Sequence, residues 1–257
     1  MKHSFLFDLD AVYIVLVLFF TMLITLAIGY RLGRKSKKNR SDDSGILASL
    51  LGLFALLIAF TFGMAGSRFE NRKANLIEES NCIGTAVLRS DIYPDSTKNA
   101  FKQDFENYLD ARVLYFKSGR NDSTINESLK SSTKAAENLW KRASFYAKNK
   151  DYLVQSQMML PALNSMFDIT ATTNAVFNSS VPETIIYLLL VFSIIISFYI
   201  GFSSGFKKQI DRVFLFGFCF LTSIVIYTIL DLDRPRRGVI NLNEQIILLE
   251  ELKTNFQ

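Results

Sequence analysis

One mixed-charge stretch, Asp231-Leu-Asp-Arg-Pro-Arg-Arg-Gly238, places two aspartates two residues apart and follows them with Arg234, Arg236 and Arg237. A second, Ser67-Arg-Phe-Glu-Asn-Arg-Lys73, carries Arg68, Glu70 and Arg72. Carboxylates facing guanidinium groups make strong charge-assisted hydrogen bonds where water is scarce. Three uses are open to these residues: a structural clamp in which Asp231 and Asp233 pair with Arg68 or Arg72, a ring of charge selecting ions by sign at a pore mouth, or a cation site on the two aspartates. Glu78 and Glu79 adjoin each other, so on a helix they diverge by about 100° and cannot serve one substrate as acid and base. They are expected in solvent or beside a Lys or Arg. The one histidine is His3, and no His-Glu-x-x-His, Gly-x-Ser-x-Gly or glycine-rich phosphate loop is present. Cys82 and Cys219 fall in different environments and read as small apolar residues. The sequence therefore predicts no catalytic residue, no metal-ligand set and no cofactor.

The elements that must position these charges are membrane helices. Ala11–Tyr30 is uncharged and, at 1.5 Å per residue, matches the roughly 30 Å hydrocarbon core. Three further uncharged runs follow, at Gly45–Gly66, Thr184–Phe202 and Val213–Leu230. Asp8 and Asp10 precede the first run while Arg31, Arg34, Lys35, Lys37, Lys38 and Arg40 follow it, the reverse of a cleavable signal peptide. With Lys207, Lys208 and Arg212 in the other short linker, the positive-inside rule predicts cytoplasmic linkers. Both termini and residues 67–183 then lie on the outer side of the plasma (inner) membrane.

The formal charge of +5 sits largely in such juxtamembrane runs, which favours anionic lipid headgroups over nucleic acid as its partner. The expected fold is all-α: four transmembrane helices with a helical extramembrane bundle between the second and third. Three divisions follow: 1–66, 67–183 and 184–257. From Gly45 to Tyr93 there is no proline, and Phe69, Leu76, Ile83 and Val87 continue a helical stripe beyond the second span. That helix should end near Pro94. Helices are also predicted over 97–116, with Phe101, Phe105, Leu109, Val113 and Phe116 on one side, over 125–148, over 151–178 with a kink at Pro161, and over 242–253, with a turn at 119–123.

In the second span, Ala48, Gly52, Ala55, Ala59, Gly63 and Gly66 recur at intervals of three and four, forming one face of small residues with Ser49 and Thr61 near it. Such a face permits close helix packing in lipid, or borders the axis of a symmetric oligomer through which inorganic ions pass. The leading expectation is an oligomeric, non-enzymatic, channel-like protein. Its rival is a membrane-anchored sensor or scaffold binding a partner through residues 67–183.

Leu-Leu-Ile-Ala-Phe-Thr-Phe (56–62), Ser-Arg-Phe-Glu (67–70), Glu-Glu-Ser-Asn-Cys-Ile-Gly-Thr-Ala (78–86) and Leu-Asp-Leu-Asp-Arg-Pro-Arg-Arg-Gly (230–238) resemble the bestrophin-like domain family of mostly bacterial membrane proteins. The resemblance implies the layout of true bestrophins, which are pentameric anion or cation channels with four spans and a helical insert after the second. It also implies a cytoplasmic insert, opposite to the orientation that the linker charges predict.

Overall fold

The computed structural model describes residues 9–36, 43–206 and 212–253, which form helices and connecting turns without a strand. In chain order the helices are α1 (Ala11–Lys35), α2 (Asp43–Ser90), α3 (Asp95–Lys117), α4 (Asp122–Tyr146), α5 (Leu153–Phe177), α6 (Glu183–Ser204), α7 (Arg212–Leu232) and α8 (Asn243–Glu251). A single 3₁₀ turn, Lys150–Tyr152, leads into α5. His3, Asp8, Lys37, Lys38, Arg40, Lys207 and Lys208 lie outside the described residues.

Four helices are long and apolar enough to cross a membrane, as the uncharged runs predict: α1, α2, α6 and α7. They extend beyond those runs. In α1, Asp10 caps the N-terminus by accepting the Val12 N–H at 3.3 Å, while Arg34 and Lys35 oppose the negative end of the helix dipole. The predicted uninterrupted α2 is present over 48 residues. It stops before Pro94, which disfavours helical geometry at Tyr93 and begins the capping of α3.

The described chain divides into two compact units, with the boundary inside α2. The first, residues 1–68 and 180–234, contains the apolar part of α2 and the other three spans. Here α1 lies against α6 with almost no side chain between the backbones. A Cβ placed on Gly29 would collide with the Phe198 carbonyl oxygen, on Gly33 with that of Phe202 and on Gly201 with that of Leu26; on Gly205 it would lie 2.6 Å from the Tyr30 oxygen. Four glycines thus permit an approach that alanine would prevent. Phe19 meets Phe216 of α7 edge-on, with centroids 5.6 Å apart, and Phe54 meets Phe192 of α6 likewise at 5.7 Å.

The second unit, residues 69–179 and 235–257, is a helical bundle built around one apolar core. Leu76, Ile83 and Val87 of α2 are buried in it with Phe101, Phe105, Leu109, Val113 and Phe116 of α3, and Phe69 packs on its edge. The predicted stripes are therefore the ones that fold inward. Leu139 of α4, Met159, Leu163 and Met166 of α5, and Ile246 and Leu249 of α8 complete the core. Gly119 takes φ 57° in the predicted turn between α3 and α4, a left-handed conformation favouring glycine. α5 continues through Pro161, which is solvent-exposed.

Candidate functional site

The small residues of α2 are turned away from the rest of their unit. Ala48, Gly52, Ala55, Ala59 and Gly63 are exposed and Gly66 is half-buried. A Cβ added to Gly52, Gly63 or Gly66 would meet no atom within 4 Å. Within its apolar window α2 is 11% buried, against 28% for α1 and 39% for α6 and α7. Thr61 departs from this face: it is fully buried and its hydroxyl donates to the Leu57 carbonyl at 2.7 Å. Ser49 is exposed among the small residues, its hydroxyl donating to the Gly45 carbonyl at 3.0 Å. Phe54 and Ala65 are buried, so α2 has one anchored side and one broad open side on which Leu53, Leu56, Phe60 and Phe62 are also exposed.

The charged residues at the ends of the apolar runs divide by burial. Arg68 is half-buried and Glu70 is exposed. Within the first unit Asp231, Asp233 and Arg234 are all at least 96% buried, and Asp233 accepts the Val181 N–H at 2.9 Å, fixing the chain just before α6. In the second unit Arg72 is fully buried and donates from Nη2 to the Ser179 carbonyl at 2.7 Å, while Arg236 and Arg237 are half-buried. Buried charges of this kind hold backbone in place, whereas Arg68 and Glu70 remain accessible to ions. Among the described residues no three His, Cys, Asp or Glu side chains converge as metal ligands.

At the centre of the second unit Arg112 and Glu79 form a fully buried, two-pronged ion pair: Nε reaches Oε1 at 2.5 Å and Nη2 reaches Oε2 at 2.9 Å. Nη1 donates to Asn174 Oδ1 at 2.9 Å, and the guanidinium lies over the rings of Tyr115 and Phe116 at 4.7 and 4.8 Å. Burial opposes the charge of Arg112, but the Glu79 carboxylate outweighs it and raises its pKa. Burial pushes the neighbouring Tyr108 hydroxyl up to about 12, so it stays neutral and bonds Thr170 Oγ1 at 2.7 Å. Glu78, one residue away, is exposed. The pairing of Glu79 with an arginine matches expectation, but its partner and depth were missed. A signal existed: Arg112 stands three residues after Leu109 and four before Phe116, within the apolar stripe of α3. Gly29/Gly33 and Gly201/Gly205, each pair four apart across the end of an apolar run, likewise advertised the α1–α6 contact.

A family model, described as bestrophin-like domain, matches residues 10–247. Comparison with curated proteins gave no match. Among solved structures, a single-substitution variant of a bacterial bestrophin homologue from Klebsiella pneumoniae superposes with TM-score 0.66 at 12% identity, over 96% of this chain and 98% of that one. The homologue solved by zinc phasing from the same organism gives the same values. Another variant, described as a membrane protein, has TM-score 0.64 at 14% identity over 96% and 98% of the two chains. At these identities the likeness is one of fold.

Proposed function

Because the chain belongs to the bestrophin-like domain family, we propose that it assembles as a homo-oligomer in the plasma (inner) membrane and conducts small inorganic ions along a path bordered by α2. The observation that carries this reading is the open face of Ala48, Gly52, Ala55, Ala59 and Gly63. Small side chains offer lipid tails little dispersion contact, so a long stripe of them facing lipid is poorly used surface. Facing the same stripe of other copies around an axis, they leave room for hydrated ions while the flanking Leu and Phe side chains pack between copies. Ser49 adds a hydroxyl to that face, and Arg68 and Glu70 supply accessible charge at the end of the apolar run. The apolar run of α2 carries no charge, which disfavours proton- or ion-coupled exchange and suits passive flow.

Ion flux into liposomes containing the purified protein tests the reading. Gly52→Leu and Gly63→Leu are expected to abolish flux at equal incorporation, since each adds a bulky side chain to a face that has space for it. Wild-type flux retained in both variants would sink a path along α2. The linker charges orient the protein with both termini and the middle segment outside the cytoplasm.

A second reading has its own observation. On the second unit Phe145 is 71% exposed beside a depression of about 500 Å³ lined by Asp104, Asn138, Lys141, Arg142 and Tyr146. This favours a sensor or scaffold that binds a partner through the bundle. Absence of flux in every salt tried, together with capture of a defined partner lost on Phe145→Asp, would favour it over conduction.

A further inference from the structure

Where α3 and α4 run side by side in the second unit, an ion pair lines the depression beside Phe145. Arg142 donates from Nε to Asp104 Oδ2 at 2.8 Å, and its guanidinium lies 5.8 Å from the centroid of the Phe101 ring. Asp104 is only 7% exposed. Every nitrogen of the Arg112 guanidinium meets an acceptor, but Nη1 and Nη2 of Arg142 meet none among the described residues, and neither is sealed from water. Asp104 Oδ1 likewise has no partner there and stays open to water. Each side chain is therefore fixed by the other along one edge and presents its second edge to solvent at the depression.

The charges around these edges nearly balance. Lys141 also lines the depression, and its ammonium lies 3.8 Å from Glu137 Oε2 in an exposed pair that solvent screens. Two cations against two carboxylates give a lone anion little net attraction. A molecule carrying both signs close together meets both open edges. An α-amino acid does so: its carboxylate matches the terminal nitrogens of a guanidinium, and its ammonium, on the adjoining carbon, suits the free oxygen of an aspartate. Phe145 supplies the apolar wall. Its ring stands edge-on to Tyr146 with centroids 5.5 Å apart, Tyr146 is itself held by the Thr97 hydroxyl at 2.8 Å, and the rest of the Phe145 ring is bare. A second ring stacks well on such a surface. The volume of about 500 Å³ is that of a small-molecule site.

We propose that this depression binds a free aromatic α-amino acid as its zwitterion. The ligand's carboxylate lies on Arg142 Nη1 and Nη2 with Lys141 beside it, its ammonium lies on Asp104 Oδ1, and its ring lies on Phe145. The proposal rests on the reading of the bundle as a binding unit and is independent of conduction along α2.

Calorimetric titration of L-phenylalanine into the purified full-length protein tests it, with phenylpropionate, which lacks the amine, and phenethylamine, which lacks the carboxylate, as comparisons. Phenylalanine is expected to saturate one site per chain. Each truncated compound should bind about tenfold to a hundredfold more weakly, the loss of its charge-assisted hydrogen bonds. Arg142→Gln should abolish binding and Phe145→Ala should weaken it about fivefold to tenfold, the loss of a ring contact. Lys130→Gln, at an exposed position elsewhere on α4, should leave it unchanged. If Arg142→Gln does not fold, Phe145→Ala decides. Absence of saturable binding, equal binding of either truncated compound, or unchanged binding in the deciding variant overturns the proposal. Capture of a partner protein through Phe145 without any amino-acid binding would also overturn it, while leaving the bundle's binding role standing.

Discussion

Arg112 shows how a charged residue can occupy the middle of an apolar stripe without disrupting it. Every nitrogen of its guanidinium is engaged, by Glu79 or Asn174, and its flat faces lie against aromatic rings. Removing one member of such a pair strands the other charge in a medium of low polarity. Arg112→Met is therefore expected to destabilise the bundle by about 3–5 kcal/mol, while Arg112→Met combined with Glu79→Met should recover most of the loss. Unfolding midpoints of the three proteins check this, and a small loss in the single variant would mean that Glu79 is relieved by solvent. Apolar periodicity made Phe101, Phe105 and Leu109 legible as core, because a stripe depends on residue type and spacing alone. Glu79 was not legible as the partner of Arg112, since the pairing joins positions 33 residues apart on different helices.

At the scale of elements, the two sets of glycines in the spans do different things. Gly29, Gly33, Gly201 and Gly205 are filled by a neighbouring backbone, whereas Gly52, Gly63 and Gly66 meet open space. The same small-residue spacing announces both, so sequence could identify a small face on α2 but not whether this chain would cover it. Substitution separates the cases. Gly201→Ala forces α1 and α6 apart and is expected to cost about 1–3 kcal/mol, the range for overpacking. Gly52→Ala should leave stability within about 0.5 kcal/mol in detergent. Thermal unfolding in detergent distinguishes them, and equal losses would contradict the contrast. The lengths of α1, α2, α6 and α7 were readable because uninterrupted apolar runs have few other uses. The overrun of α1 to Lys35 was not, because its last turn is charged yet still helical.

For the whole molecule, the orientation proposed from the linker charges has both termini and the middle segment outside the cytoplasm, whereas likeness to true bestrophins would put the middle segment within it. Asn121→Cys, introduced with Cys82→Ser and Cys219→Ser, is expected to react with a membrane-impermeant maleimide applied to intact cells. Labelling confined to lysed cells would reverse the orientation. The close contact of α1 with α6 has a further consequence, for synthesis. Roughly 170 residues separate Gly33 from Gly201 in the chain, and at about 5–20 residues per second a ribosome needs on the order of 10–30 s to make them. During that interval α1 resides in the bilayer with its glycine groove uncovered, which makes newly inserted protein the form most exposed to chaperones and to membrane proteases, and makes any lesion in α6 a defect in the maturation of α1.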